Sequence, residues 1–145
     1  MPATGARGGY GTLLQRGDGA TPTEVFTTIA EVMDVDGPER KVNFDDATNM
    51  ESPDQHVEVV PTIKETGPVT FQVNLLADNS THALLTSDLD AMRKGNWRLI
   101  LAGGTKRFEF AAYVESIGAS MPVKGKMVRP VTLRLTGKAS LVANS

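Results

Sequence analysis

Residues Phe108 to Leu141 read FEFAAYVESIGASMPVKGKMVRPVTLRLTGKASL, and this stretch decides the fold. Phe108, Phe110, Ala112 and Val114 alternate with Glu109, Ala111, Tyr113 and Glu115. Val131, Leu133 and Leu135 alternate with Thr132, Arg134 and Thr136. A period of two over two neighbouring runs predicts a half-buried antiparallel pair, one face on a core and the other wet. The connection from Gly118 to Met127 is rich in Gly, Pro, Lys and Met, which predicts a long, exposed contact loop rather than a tight turn.

Working outward, Val69 to Leu76 is the cleanest further strand, with Val69, Phe71, Val73 and Leu75 on one face. Trp97 to Leu101 is another, and Gly103-Gly104 turns the chain into the Phe108 strand. Shorter strands are expected at Tyr10 to Leu14, Phe26 to Asp34 and Val57 to Val60, the last ended by Pro61 and followed by a turn over Thr62 to Pro68. One helix is expected from about Thr81 to Lys94. Asn79 or Ser80 caps it, Leu85, Leu89 and Met92 form its stripe, and Arg93 and Lys94 fill its last turn. About seven strands and one helix give a mainly β chain, a β-sandwich or partly closed barrel with one flanking α-helix.

The segment from Asp36 to Glu58 is polar, carries Pro38 and Pro53 and shows no sustained period, so a long loop is expected over residues 36–58, with a brief paired piece at Lys41 to Phe44. Loops of that length inside a domain are usually functional, which makes this one the leading partner-binding element. The domain should span residues 10–137, between a flexible N-terminal arm over residues 1–9 and a flexible C-terminal arm over residues 138–145.

Composition excludes several functions. The 145 residues suit one domain, and with no cysteine there is no disulfide, thiolate metal site or cysteine nucleophile. Fifteen Lys and Arg against 17 Asp and Glu give a formal charge of -2, so no global field draws the chain to nucleic acid or an anionic membrane. No apolar run is long enough to span a membrane and the N-terminus lacks the apolar segment of a signal peptide, so no membrane binding is expected.

Few residues invite chemistry. His56 and His82 lack metal-ligand spacing, and Asp34-Val35-Asp36-Gly37 lacks the later ligands of a calcium loop. The Arg16-Gly17-Asp18 tripeptide is read as part of a glycine turn rather than an adhesion motif, and the glycines at 5, 8, 9 and 11 precede a strand, where no phosphate loop sits. Asp45, Asp46 and Glu51 form an acidic cluster best read as a solvated face. No metal, cofactor or catalytic residue is expected, and the chain is not expected to be an enzyme.

Asp46-Ala47-Thr48, then Ser52, then VEVVPTIKETGPVTFQVNL from Val57 to Leu75, resembles the pattern of major tail tube proteins of long-tailed, siphovirus-like bacteriophages. The strand, Ser-Ile-Gly loop and closing strand of the 108–141 stretch resemble the same family, so the likeness covers roughly Val25 to Leu141. Thr62 stands where that family's turn commonly has Gly, and Pro68 directly follows Gly67. The resemblance implies a structural virion protein, made in the host cytoplasm and found in the tail, whose homohexameric rings stack into the tube that conducts DNA. Its partners would be further copies, tail tip or initiator proteins and tail terminator proteins, with DNA passing unbound. Under it, Asp45, Asp46, Thr48, Asn49 and Glu51 would reach a neighbouring subunit or ring. Gln72, Asn74, Glu109, Glu115, Thr132 and Arg134 would face the lumen as a polar, net acidic wall. The alternatives are the tube protein of a contractile injection or secretion system, a ring-forming tail-completion protein, and a small ligand-binding β-domain.

Overall fold

A computed structural model describes residues 8–20, 23–76 and 78–143. In chain order these hold β1 (Leu13–Gly17), β2 (Phe26–Thr28), β3 (Val32–Asp36), β4 (Arg40–Asp46), β5 (Val59–Thr66), β6 (Val69–Asn74), α1 (Ser80–Ala91), β7 (Gly95–Ile100), β8 (Lys106–Ile117) and β9 (Val128–Ala143). Seven strands make one open antiparallel sheet in the order β2-β1-β7-β8-β9-β6-β3, and β4 pairs with β5 in a separate ribbon. The mainly β architecture with one flanking helix is the expected one, with nine strands among the described residues where about seven were counted.

The long β8–β9 hairpin carries both halves of the sheet. β7 pairs with Arg107 to Ala112 at one end of β8, while β6 pairs with Val128 to Leu133 at the opposite end of the hairpin. Between these ends the ladder breaks twice. Glu109 faces Ser140 and Ala111 faces Thr136, so Gly137 to Ala139 all stand opposite Phe110 alone. Glu115 likewise has no opposite residue, because Val114 faces Leu133 and Ser116 faces Thr132. Such bulges bend and twist a strand. Gly137 takes φ 80°, a left-handed conformation that suits glycine.

Alternation delivers the core as expected. Val69, Phe71 and Val73 are buried from β6, Phe110, Ala112 and Val114 from β8, and Val131 and Leu133 from β9, with Trp97 and Leu99 beside them. Leu85 of α1 closes the same cluster. Asn79 caps the helix: its Oδ1 accepts from the Thr81 backbone N–H at 2.9 Å and from that of His82 at 3.4 Å. Asn79→Ala should lower stability by about 1 kcal/mol, read as a shift in the urea midpoint; an unchanged midpoint would show the cap to be idle.

Several boundaries move for local reasons. Tyr10 is fully exposed, and the first strand lies three residues later, at β1. The expected strand over Phe26 to Asp34 is divided into β2 and β3 at Glu31, which takes φ 53°. Asp34, expected at the end of that strand, is a left-handed residue (φ 48°) within a register shift of β3. The helix stops at Ala91 because Met92 adopts φ 50°, so Met92 leaves the expected apolar stripe and is exposed. Its place is taken by Asp88 and His82, both buried. Residues 138–143, expected within a flexible arm, continue β9 against β8, and Ala139 is in the core. Residues 1–7 of the expected N-terminal arm, and 144–145, lie outside the described residues.

Candidate assembly interface

The expected loop over residues 36–58 supplies one strand of a β-ribbon, and β5 beyond it supplies the other. Arg40 to Asp46 pairs with Val59 to Thr66 in register Lys41 to Glu65 and Asp46 to Val59, leaving residues 47–58 as its tip. The predicted turn over Thr62 to Pro68 is instead strand up to Thr66. Pro61 does not break β5 because it sits opposite Phe44 at a register shift of a two-stranded ribbon, where proline's missing donor is tolerated. Every residue of β4 except Asn43, and every residue of β5 except Thr66, is exposed. Phe44 is 60% exposed and Ile63 64%, and Val42, Val59 and Val60 are exposed with them. Two-stranded ribbons are marginal alone, and exposed apolar side chains gathered on such an element mark it as an interaction surface.

The tip is tied together by its own polar groups. The Asp46 carboxylate accepts from the Thr48 backbone N–H at 2.8 Å, and Thr48 Oγ1 accepts from the Glu58 N–H at 2.8 Å. Asn49 Oδ1 accepts from the Glu51 N–H at 2.8 Å, and Ser52 Oγ donates to Glu58 at 2.9 Å. Hydrogen bonds from the Thr48 hydroxyl and backbone hold the Asp46 carboxyl below its ordinary range, so it stays ionised at neutral pH. Asp45, Asp46, Thr48, Asn49 and Glu51 are thus brought together, all exposed, at the far end of the ribbon.

The second group lies on the sheet face turned away from the core. Gln72 and Asn74 alternate with the buried residues of β6, Thr132 lies between Thr70 and Ser116, and Arg134 is opposite Tyr113. Glu109 is further along, between Arg98 and Ser140. The face is polar, but its carboxylates are neutralised. Arg107 binds Glu109 at 2.7 Å, with Arg98 at 3.6 Å, and Arg134 binds Glu115 at 3.1 Å. Arg98 also stacks on the Phe26 ring at 3.6 Å. The face is therefore of mixed charge and not net acidic as expected. The sequence held half of that signal, since Arg98 alternates between Trp97 and Leu99 and so must point away from the core.

The residues that invited other chemistry are accounted for. Arg16 is buried against Asp88, which withdraws it from any adhesion motif. His82 Nε2 lies 2.7 Å from the Ala30 carbonyl, which can only accept, so that nitrogen carries the proton. Among the described residues no group of three or more His, Asp or Glu is placed to hold a metal ion.

A family model described as lambda phage tail tube protein matches residues 16–142. The chain belongs to that family. As a tail tube protein it is a structural component of the virion tail. Its fold is similar to three solved assemblies. The first is the tail of an empty gene transfer agent particle refined with C6 symmetry, at 16% identity and TM-score 0.75, covering 95% of this chain and 100% of the other. The second is the sheath-tube complex of an extracellular contractile injection system, at 13% identity and TM-score 0.66, covering 92% and 89%. The third is the SPP1 tail tube, at 12% identity and TM-score 0.58, covering 92% and 74%. No curated protein matches the tail tube protein by sequence. Among its described residues no helix is long and apolar enough to cross a membrane.

Proposed function

We propose that six copies of this tail tube protein close into a ring, that rings stack into the tail tube, and that DNA passes through the lumen without specific binding. The observation that carries this reading is the β4–β5 ribbon, an element of 15 strand residues with apolar side chains exposed along it and no buried face in the single chain. Membership in the tail tube family supports it, and so do the unpaired edges at β2 and β3, which a ring can consume by joining sheets. The role is structural rather than catalytic and uses no cofactor. Asp45, Asp46, Thr48, Asn49 and Glu51 reach the neighbouring subunit or ring. The face carrying Gln72, Asn74, Glu109, Glu115, Thr132 and Arg134 lines the lumen, and tail tip and terminator proteins cap the two ends.

Negative-stain electron microscopy of the purified protein across a concentration series tests the assembly. Hollow tubes or six-fold rings are expected. Monomers at every concentration that also fail to add to a tail-tip complex would overturn the reading. The lumen assignment has its own test. Replacing Glu109 and Glu115 by Lys turns paired charges into an arginine- and lysine-rich wall, and each added phosphate contact increases salt-dependent attachment to DNA. Particles built from that variant should eject DNA more slowly, with the difference shrinking as salt is raised. Ejection at an unchanged rate and salt dependence would place this face elsewhere.

A further inference from the structure

The ribbon is electrically divided along its length. Between Val42 and Ile63 the sequence carries Asp45, Asp46, Glu51, Asp54 and Glu58 and no Lys or Arg. At its root the balance reverses. A cleft of about 970 Å³ opens between the base of the ribbon and the bulged part of β9, lined by Arg40, Lys41, Lys64, Arg134 and Lys138 with Glu65 as its single carboxylate. Lys41 and Glu65 satisfy each other at 3.5 Å, and Arg134 is held by Glu115. Arg40, Lys64 and Lys138 form no ion pair among the described residues. The cleft is fixed in shape by the Thr66 hydroxyl, which donates to the Gly137 carbonyl at 2.7 Å, and by the Gly67 N–H, which donates to the Glu39 carbonyl at 2.5 Å.

We propose that this basic cleft is the docking site for the acidic ribbon tip of a second copy of the same chain. The inference rests on the tube reading and specifies its contact. A chain cannot satisfy itself here. Beyond the three β4 residues that line the cleft, the remaining four at about 3.3 Å each set the tip about 13 Å from its own cleft, and the ribbon is antiparallel throughout. The excess carboxylates at one end and excess cations at the other are complementary only between copies. Tip to root is a head-to-tail contact, the kind that closes rings or propagates filaments. The three unpaired cations would each then meet a tip carboxylate, and mismatched orientations would be rejected by like charge.

Charge exchange tests it. The cleft variant carries Lys64→Glu and Lys138→Glu, and the tip variant carries Asp45→Lys and Glu51→Lys; all four side chains are exposed, so both chains should fold, which circular dichroism checks. Each variant alone should need at least a tenfold higher concentration than the wild type to form rings or tubes. Mixed in equal amounts they should assemble again, because the unaltered tip of one variant then meets the unaltered cleft of the other, and the substituted lysines of the tip meet the substituted glutamates of the cleft. Assembly of the cleft variant at wild-type concentration would overturn the proposal. So would a mixture that stays as unassembled as its components. Normal assembly of the cleft variant with loss of single-stranded oligonucleotide binding would also overturn it, by making the cleft a polyanion site. A wild type that forms no ring or tube, alone or on a tail-tip complex, would instead bring down the tube reading itself.

Discussion

Asp88→Ala is expected to cost about 3–5 kcal/mol of folding stability. Asp88 is 2% exposed on α1, and its two carboxylate oxygens accept from Arg16 Nε and an Arg16 terminal nitrogen, both at 2.6 Å. Arg93 stands 3.6 Å away on the other side and donates to the Gly17 carbonyl at 2.9 Å. One carboxylate therefore ties the helix to β1 and to Arg93 in the turn that follows the helix, and the Arg16 pKa is raised chiefly by the hydrogen bond from Arg16. Removing the carboxylate leaves a buried guanidinium without its bonded countercharge and with only the weaker pull of Asp18, which is the expensive way to break such a pair. Guanidinium denaturation should show a clearly lower midpoint with the slope retained. Adding Arg16→Met to Asp88→Ala should recover most of the loss, because two apolar groups of similar bulk need no partner. A single variant within 1 kcal/mol of the wild type would mean that water reaches Arg16 freely.

The second large effect is on assembly and not on folding. Phe44→Asp with Ile63→Asp should abolish tubes while leaving the monomer's melting curve unchanged within about 0.5 kcal/mol, since both side chains already stand in solvent. Burying a side chain of this size is worth about 1.5–3 kcal/mol, so losing two from each contact weakens association on the order of a hundredfold or more. Sedimentation velocity separates the two readouts. Tubes at the wild-type concentration would show that the apolar side chains of the ribbon stay in water in the assembled tail.

What was legible in the sequence was whatever a residue's own neighbours determine. β6 and β8 were readable because each has one buried and one wet face, and the chain writes that difference as alternation. The helix start was readable from Asn79, whose capping bonds reach only two and three residues onward. The ribbon was readable only in part, as the paired piece at Lys41 to Phe44 and the strand at Val57 to Val60, because β4 and β5 have no buried face in the single chain and so carry no sustained period, and Pro61 looked like an end. β9 was cut short for a related reason. Gly137 interrupts the pattern locally, while the bulge around it lets pairing resume at Ser140. The pairing of Arg16 with Asp88 spans 72 positions and no local rule points to it. Of the candidate site, the tip residues were found as a cluster of acids, while the cations that complement them lie on β4, β5 and β9 and meet only in the fold.

A ribbon that has so little of its own chain to rest on sets the timing of assembly. Two free copies that meet must both order this marginal element before their contact yields anything, so most encounters part again. A ring already in place presents the same surfaces held in position, and an arriving copy orders only its own. Growth on an existing end is therefore fast while spontaneous starts are rare. Under the proposed assembly, free copies stay dispersed until their concentration is high, and length is committed first where a template waits.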